Sequence, residues 1–233
     1  TRNSSLFYVK YSCDNYNYES LRDMFSLINS SADITLKNCI LKNNKNSESG
    51  GAIYVGRGNV IATNVTIENC SAKYGGAVYI NTDCSFEMSS STIQNNTAVE
   101  GAGVHVAGDG IFTMNNGTIS GNSATSSDDA SVGGGVYVAA KGTFNMKGGS
   151  IINNSVNYTG TSLLGGGGGV AVNYSSDASG VFYMTGGIIE GNTAIGDRDY
   201  GSGVFVNGLT TGYYATFKIS GSAVVKSNND VYL

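Results

Sequence analysis

Apolar and polar residues alternate in a short phrase that returns six times along this chain. Five of the six copies place one polar or aromatic residue between two apolar residues, just after a glycine or alanine, and the other copy has Ala171 at the middle position. Successive copies are 25, 26, 32, 34 and 34 residues apart, measured between their first apolar residues. A fixed phrase at such a period predicts a stacked repeat protein. The copies are Gly51-Ala52-Ile53-Tyr54-Val55, Gly76-Ala77-Val78-Tyr79-Ile80, Ala102-Gly103-Val104-His105-Val106, Gly134-Gly135-Val136-Tyr137-Val138, Gly168-Gly169-Val170-Ala171-Val172 and Ser202-Gly203-Val204-Phe205-Val206.

Each phrase is followed by two further alternating segments. An apolar pair comes first: Phe86-x-Met88, Phe112-x-Met114, Phe144-x-Met146, Phe182-x-Met184 and Phe217-x-Ile219, with degenerate copies at Ile34-x-Leu36 and Val60-x-Ala62. Five residues later comes a third apolar position: Leu41, Ile67, Ile93, Ile119, Ile151, Ile189 and Val224. Alternation predicts half-buried strands, and no helical spacing separates the units.

A polar position follows three residues after the third apolar one. It is held by Asn44, Cys70, Asn96, Asn122, Asn154 and Asn192, and Ser227 or Asn228 closes the series. Stacked asparagines bond to one another in cross-β arrangements. We therefore predict an amide ladder formed by Asn44, Asn96, Asn122, Asn154 and Asn192, with an interruption at Cys70.

Three short strands in every unit predict an all-β fold, a right-handed parallel β-helix (solenoid) of about six to seven coils. Each strand would pair with its counterparts one coil above and below, about 4.8 Å away. The right hand follows from the strong preference of parallel crossovers.

The chain divides into residues 1–33, an irregular N-terminal cap or degenerate first coil, and residues 34–233, the β-helix. We interpret the whole as a fragment of a longer chain. The turn between the polar position and the next glycine phrase lengthens in Ser123–Gly133, Ser155–Gly167 and Thr193–Gly201. Insertions at one point of a repeat project from one edge of a solenoid, where binding is expected.

Composition agrees with this fold and argues against nucleic-acid binding and membrane insertion. The chain has no proline, which cannot donate to an internal strand ladder. Its formal charge is −4 and it has no cluster of lysine and arginine, which argues against binding to nucleic acid. No apolar run approaches the length of about 20 residues that crosses a bilayer, so we expect no membrane insertion in this segment.

The cysteines do not predict a metal site. Cys13, Cys39, Cys70 and Cys84 lack the CxxC spacing of zinc ligands. Cys13 and Cys39 are 26 residues apart, one short repeat, which is compatible with a disulfide between neighbouring coils. Buried free thiols are the alternative.

The middle residue of the glycine phrase points outward by alternation and forms what we call the aromatic row. Its members are Tyr54, Tyr79, His105, Tyr137 and Phe205, with Ala171 between the last two. Two interpretations remain open: the inserted segments cover the row, or the row is an exposed platform for sugar rings or a partner chain.

No catalytic constellation stands out. The single histidine, His105, has no paired acid or cysteine in the pattern of a triad. Glycoside hydrolysis needs two carboxylates on one face, yet Glu68 and Glu190 occupy equivalent positions several coils apart. We expect no catalytic residue, no metal and no cofactor. The chain also carries nine Asn-x-Ser/Thr sequons, among them those at Asn69, Asn95 and Asn153.

Three segments carry a family resemblance: the run from Gly142 to Ile151, the run from Met184 to Ala194, and Asn229-Asp230-Val231-Tyr232-Leu233. They resemble the glycine-rich repeats of right-handed β-helix surface proteins, both the polymorphic outer-membrane proteins and the adhesin-like proteins of bacteria and methanogens. The resemblance spans residues 34–233. It implies a secreted or cell-surface protein.

Three functions follow as hypotheses. The first is a non-catalytic, extracellular or cell-surface adhesin or display stalk, which binds a glycan or protein of a host or neighbouring cell through its inserted loops. The second is a pectin-lyase-like carbohydrate-active enzyme, which acidic clusters on one face would favour. The third is a structural subunit of an extracellular filament or surface layer, which self-association through coil ends would favour.

Overall fold

The computed structural model describes residues 33–126, 133–158, 166–195, 201–208 and 214–233. Within these ranges the chain forms strands and no helix. The predicted cap over residues 1–33 lies outside the described residues, apart from Asp33. In chain order the strands are β1 (Ile34–Lys42), β2 (Ile53–Val55), β3 (Asn59–Glu68), β4 (Val78–Ile80), β5 (Ser85–Ser89), β6 (Ser91–Gln94), β7 (Thr97–Ala98), β8 (Val104–Val106), β9 (Ile111–Met114), β10 (Gly117–Ser120), β11 (Ser123–Ser126), β12 (Val136–Val138), β13 (Thr143–Met146), β14 (Ser150–Ile152), β15 (Ser155–Tyr158), β16 (Val170–Val172), β17 (Tyr174–Ser175), β18 (Ala178–Ser179), β19 (Val181–Met184), β20 (Ile188–Glu190), β21 (Thr193–Ile195), β22 (Val204–Val206), β23 (Thr216–Ile219), β24 (Val224–Val225) and β25 (Val231–Tyr232).

The strands form three sheets along the solenoid. Sheet A has two limbs that share the long strand β3: limb A1 has the order β23-β19-β13-β9-β5-β3, and limb A2 continues β3-β6-β10-β14-β20-β24. Strand β1 pairs with β3 on both limbs. Sheet B has the order β21-β15-β11-β7, and sheet C has the order β2-β4-β8-β12-β16-β22-β25.

The pairing confirms the predicted all-β parallel solenoid. Every pair within sheets A, B and C is parallel and joins residues one repeat apart, as in Val78 with Val104 and Ile93 with Ile119. The exception among the described strands is a small antiparallel hairpin of β17 and β18, which belongs to none of the three sheets. The hand of the winding and the number of coils remain predictions.

The inward stacks of sheets C and A2 lie where the alternation predicts them. Their members are 0–6% exposed. Burying each of these side chains stabilises the fold by about 1.5–3 kcal/mol. The stacks are Ile53, Val78, Val104, Val136, Val170 and Val204; Val55, Ile80, Val106, Val138, Val172 and Val206; and Ile67, Ile93, Ile119, Ile151 and Ile189.

A column of phenylalanines fills the core behind limb A1. The ring centroids of Phe112, Phe144 and Phe182 are 4.7 Å apart from coil to coil, with the planes within 8° of parallel. Phe217 continues the column at 4.9 Å. The coil spacing thus sets the stacking distance between identical side chains in successive coils.

The predicted register is wrong in the last coil. Val225, not Val224, pairs with Ile189, and Val224 is 42% exposed. One extra residue lies between β23 and β24 compared with the preceding coils. A second extra residue follows Val225, because Asn229 comes four residues after Val225 whereas Asn192 comes three after Ile189. The polar position is therefore occupied by the buried Asn229 rather than by Ser227 or Asn228.

Candidate functional site

The aromatic row lies on the outer face of sheet C, and its members are in register from coil to coil. Tyr54 pairs with Tyr79, Tyr79 with His105, and His105 with Tyr137. Ala171 and Phe205 follow, and β25 adds Tyr232, which the sequence analysis left out of the row.

Exposure varies steeply along the row. Tyr54 is 38% exposed and Tyr79 is half-buried, whereas His105, Tyr137 and Phe205 are 6%, 7% and 4% exposed. The middle of the row is therefore buried, and its accessible rings lie at the two ends: Tyr54 and Tyr79 at one end and Tyr232, which is 43% exposed, at the other. Whether the inserted segments cover the middle remains a prediction.

The rings of the accessible half form a continuous stack. Tyr54 and Tyr79 are 5.4 Å apart with an interplanar angle of 6°, and Tyr79 and His105 are 4.9 Å apart at 26°. Tyr137 meets His105 edge-on at 4.7 Å, and Tyr74 meets it edge-on at 5.7 Å. Offset-stacked and edge-to-face pairs each contribute about 0.5–1.5 kcal/mol beyond the area they bury.

His105 is the centre of this cluster and behaves as a neutral ring. Burial disfavours the charged imidazolium and lowers the pKa of His105 to about 3. Its Nδ1 lies 3.9 Å from Oε2 of Glu100, too far for a hydrogen bond. The buried Nδ1 has no hydrogen-bond partner among the described residues.

Tyr137 is also held neutral, and its hydroxyl is fixed. Nδ2 of Asn173 donates to the Tyr137 hydroxyl at 2.9 Å, and Nδ2 of Asn207 donates to Oδ1 of Asn173 at 2.8 Å. Burial raises the pKa of Tyr137 to about 12. Burial likewise raises the pKa of Tyr79, helped by the nearby phenol of Tyr54 and the carboxylate of Glu100. Since none of these groups changes charge near neutral pH, the cluster is suited to stacking and hydrogen bonding rather than to proton transfer.

Inserted residues border sheet C on both sides. The next strand of sheet C begins 8 positions after the polar position in Asn96 and Val104, but 14 positions after it in Asn122 and Val136 and 16 in Asn154 and Val170. The segments 127–132, 159–165 and 196–200 of these insertions lie outside the described residues. On the other side, the interval from sheet C to limb A1 lengthens from 6 residues after Val138 to 10 after Val172. The hairpin of β17 and β18 accounts for this second insertion, which the sequence analysis missed because it examined one turn of the repeat.

The asparagine ladder runs through the interior at the turn between limb A2 and sheet B. Nδ2 of each asparagine donates to Oδ1 of the next along Asn96, Asn122, Asn154, Asn192 and Asn229, at 2.8–3.0 Å. The same Oδ1 atoms accept the backbone N–H of the preceding ladder residue at 2.8–3.1 Å, beginning with Cys70. Every ladder asparagine therefore bonds inside the core through both its Oδ1 and its Nδ2, the last of them donating from Nδ2 of Asn229 to the carbonyl of Asn192.

Asn44 does not belong to the ladder, contrary to the prediction. It is half-buried, and its Oδ1 accepts the backbone N–H of Lys45 at 3.1 Å. The reason lies in the next coil: Cys70 supplies no side-chain oxygen for an amide at position 44 to bond.

Glycine at the second position of the phrase makes room for the ladder. A Cβ at Gly135 would lie 2.6 Å from the carbonyl oxygen of Gly169 and 3.2 Å from Nδ2 of Asn154. Gly103 and Gly169 meet the amides of Asn122 and Asn192 in the same way. The glycine phrase and the asparagine that follows it, 19 residues later both from Gly103 to Asn122 and from Gly135 to Asn154, are thus parts of one packing unit.

The remaining candidates do not converge on a site. Cys39, Cys70 and Cys84 are buried, and burial raises the thiol pKa of Cys70 and Cys84. Cys13 lies outside the described residues, so a disulfide with Cys39 remains a prediction. Oε2 of Glu68 accepts from Nε2 of Gln94 at 2.8 Å, and Glu190 lies 3.8 Å from Lys226.

In the described part of the chain no three histidine, cysteine or acidic residues gather in a metal-binding group. A search of the same residues for a helix able to cross a membrane finds none. No protein-family model matches the chain, and neither curated proteins nor solved structures give a significant match.

Proposed function

We propose that this protein is a non-catalytic β-solenoid of the cell surface or extracellular space that serves as an adhesin or display stalk. Its partner would be a glycan or protein on a host or neighbouring cell. The single observation that supports this proposal is the placement of the insertions. The core stacks and the ladder repeat with little change, whereas extra residues concentrate on the two sides of sheet C.

The parts of the repeat that stay constant hold the coils together, whereas the parts that vary in length lie beside sheet C. The ladder asparagines and the valine stacks specify how coils pack, and they do so in the same way in coils of 26 and of 34 residues. Lengthening a surface loop costs little free energy, since loop closure entropy grows slowly with length. The segments beside sheet C are therefore free to vary in sequence, and they are where binding is expected.

Adhesion by such a surface does not need a deep pocket. Weak contacts along one side of a solenoid, presented in many copies at a surface, give avidity that exceeds each single affinity. Accessible aromatic rings at Tyr54 and Tyr79 lie on the same face and can add contact area.

The proposal is tested by replacing residues 127–132, 159–165 and 196–200 with Gly/Ser segments of equal length. We expect this triple replacement to leave the far-UV CD spectrum and the melting temperature unchanged and to abolish adhesion to cells or extracellular matrix. The control variant Tyr183→Ala changes an exposed residue on the outer face of limb A1, away from both sides of sheet C, and should adhere like the original. Adhesion that survives the triple replacement contradicts the proposal, as does steady release of reducing or unsaturated sugar ends by the intact chain.

A structural role in a filament is the second candidate, and an apolar groove beside β23 and β24 favours it. Phe217, Ala223 and Val225 line the groove together with the more exposed Ile219 and Leu233. Sedimentation velocity tests this role: concentration-dependent chains that Ile219→Lys abolishes would favour it over the adhesin.

A further inference from the structure

We infer that Asn116 is a site of spontaneous chemical modification, where water converts the asparagine into aspartate and isoaspartate through a cyclic imide. The inference is independent of the proposed adhesive function. It concerns the turn between β9 and β10, in which Asn116 comes directly before Gly117. This turn is the corner that joins limb A1 to limb A2.

The reaction needs only the groups of this turn and water. The backbone nitrogen of Gly117 loses its proton to hydroxide and attacks Cγ of Asn116. The new N–Cγ bond closes a five-membered imide, and the side-chain nitrogen takes a proton from water and leaves as ammonia. Water then opens either carbonyl of the ring. One opening gives aspartate, and the other gives isoaspartate, in which the main chain runs through the former side chain.

The turn holds the two reacting atoms close together. The backbone N–H of Gly117 donates to Oδ1 of Asn116 at 2.8 Å. Since a carbonyl bond is about 1.23 Å long, Cγ lies within about 4.0 Å of the attacking nitrogen. Near-attack distances are about 3–3.5 Å, and rotation about the soft terminal torsion of asparagine can close the difference. Asn116 is exposed, so hydroxide and water reach it.

Glycine at position 117 leaves the approach open, because no side chain stands beside the attacking nitrogen. The fold requires glycine there: its φ is +117°, and a Cβ would lie 2.2 Å from the carbonyl oxygen of Ser91. Asn44 and Asn173 also accept the N–H of the next residue, at 3.1 and 2.9 Å. In those two cases the next residue is a lysine or a tyrosine, whose side chain hinders ring closure.

Asn207 provides a matched control within the same chain. It belongs to the other Asn-Gly pair of the sequence, Asn207-Gly208. Its side chain is half-buried, and its Nδ2 donates to Oδ1 of Asn173 at 2.8 Å. Gly208 forms an antiparallel bridge with Tyr214. Ring closure at Asn207 must break this side-chain bond and move the bridged glycine, so we expect the fold to slow the reaction there.

The isoaspartate product should loosen the coil in which it forms. It adds one carbon atom to the main chain immediately before β10, where Gly117 pairs with Ser91. The chain has no room at this point even for a Cβ on Gly117. The aspartate product keeps the normal chain length and should leave the pairing of β10 intact.

The experiment incubates the folded protein at mildly alkaline pH beside a sample in concentrated guanidinium chloride. Peptide mapping by mass spectrometry follows conversion at each asparagine, and labelling by an isoaspartyl methyltransferase detects isoaspartate. We expect Asn116 to react about tenfold faster than Asn207 in the folded protein, the factor expected when one buried bond must break. In the denatured sample the two rates should be similar.

Two variants separate the geometry from the dipeptide. Asn116→Gln would need a six-membered ring and should lose the isoaspartate signal at this position while it keeps the melting temperature. Asn173→Ala removes the acceptor of Asn207 Nδ2 and should raise the rate at Asn207 towards that at Asn116.

Hydrogen exchange along β10 should be faster in the isoaspartate form than in Asn116→Asp. Equal rates at Asn116 and Asn207 in the folded protein would overturn the inference, because the dipeptide and not the turn would then set the reaction. Folding that slows Asn116 as strongly as it slows Asn207 would overturn it as well.

Discussion

Replacing Asn122 by alanine removes the central member of the asparagine ladder. Its Oδ1 accepts from the backbone N and from Nδ2 of Asn96 at 3.0 and 2.9 Å. Its Nδ2 donates to Oδ1 of Asn154 at 2.9 Å and to the carbonyl of Ile93 at 3.0 Å. All four bonds are lost together, and the site is fully buried.

The expected magnitude follows from the partners left behind. Asn96 keeps a bond from Nδ2 to the carbonyl of Ile67, and Oδ1 of Asn154 keeps the backbone N–H of residue 122. The backbone N–H of Asn96 loses its acceptor, Oδ1 of Asn122. Leaving a buried polar group without a partner costs about 1–3 kcal/mol. One group is left without any partner and three others lose one bond each, so we expect the free energy of unfolding to fall by about 2–4 kcal/mol.

Two assays measure this loss. Urea unfolding followed by far-UV CD gives the overall free energy, and amide hydrogen exchange at Asn96 reports the local opening of the coil. Asn44→Ala is the matched control, since Asn44 occupies the same repeat position outside the ladder and should change stability by less than about 0.5 kcal/mol. Equal stabilities for Asn122→Ala and Asn44→Ala, with unchanged exchange at Asn96, would refute the reasoning.

Three further predictions follow from the same structure. Val104→Asp places an unpaired charge in a fully buried stack and should unfold the neighbouring coils, whereas Thr118→Asp on the outer face should not; equal melting curves would contradict the register. Cys70→Asn should extend the ladder towards Asn44 and stabilise the protein by about 1 kcal/mol relative to Cys70→Ala, measured by urea unfolding; a less stable asparagine variant would refute this. The pKa of His105 falls from 6.5 to about 3 on folding. Between these two pH values the unfolded chain binds more protons than the folded one. Acidification from pH 6.5 towards pH 3 should therefore remove up to about 1.4 kcal/mol of stability per pH unit through this group. His105→Phe should flatten that part of the stability profile, and an unchanged profile would show that His105 is not buried as described.

Alternation and spacing were sufficient to predict the fold because a parallel solenoid repeats its geometry in every coil. Val104 and Val136 face inward in register for the same reason, so one copy of the phrase predicts the others. The prediction failed where the repeat itself changes: one extra residue before Val225 and a second before Asn229 shift the last coil, and nothing in the local alternation marks them. The prediction for Asn44 was wrong for a non-local reason, because a ladder bond at this position depends on the residue one coil away, which is Cys70.

The aromatic row shows the limit of sequence reasoning about the site. Alternation placed Tyr54 and Tyr137 on the same outer face, yet one is 38% and the other 7% exposed. Outward direction is a property of the strand, whereas exposure depends on what the rest of the chain places over it. The polar partners of Tyr137, Asn173 and Asn207, lie in turns that the repeat pattern does not include.

The structure also explains three of the nine sequons. At Asn69, Asn95 and Asn153 the first residue adopts a left-handed turn with φ near 55°, a conformation that asparagine tolerates better than most residues. The second is the ladder position, and the third is an outward serine or threonine at the start of the sheet B turn. The three-residue pattern therefore arises from the geometry of the coil, whether or not the asparagines carry glycans.

Disulfide trapping between sheet B residues tests the in-register parallel coil most directly. The Oγ atoms of Ser123 and Ser155 are 3.0 Å apart on neighbouring strands, within reach of a disulfide once both are cysteine. The account predicts rapid oxidation of the Ser123→Cys/Ser155→Cys variant, mapped by mass spectrometry, and little in Ser123→Cys/Val156→Cys, whose second side chain faces the core. Cross-linking to position 156 that equals or exceeds cross-linking to position 155 would contradict the register, and with it the placement of the insertions beside sheet C.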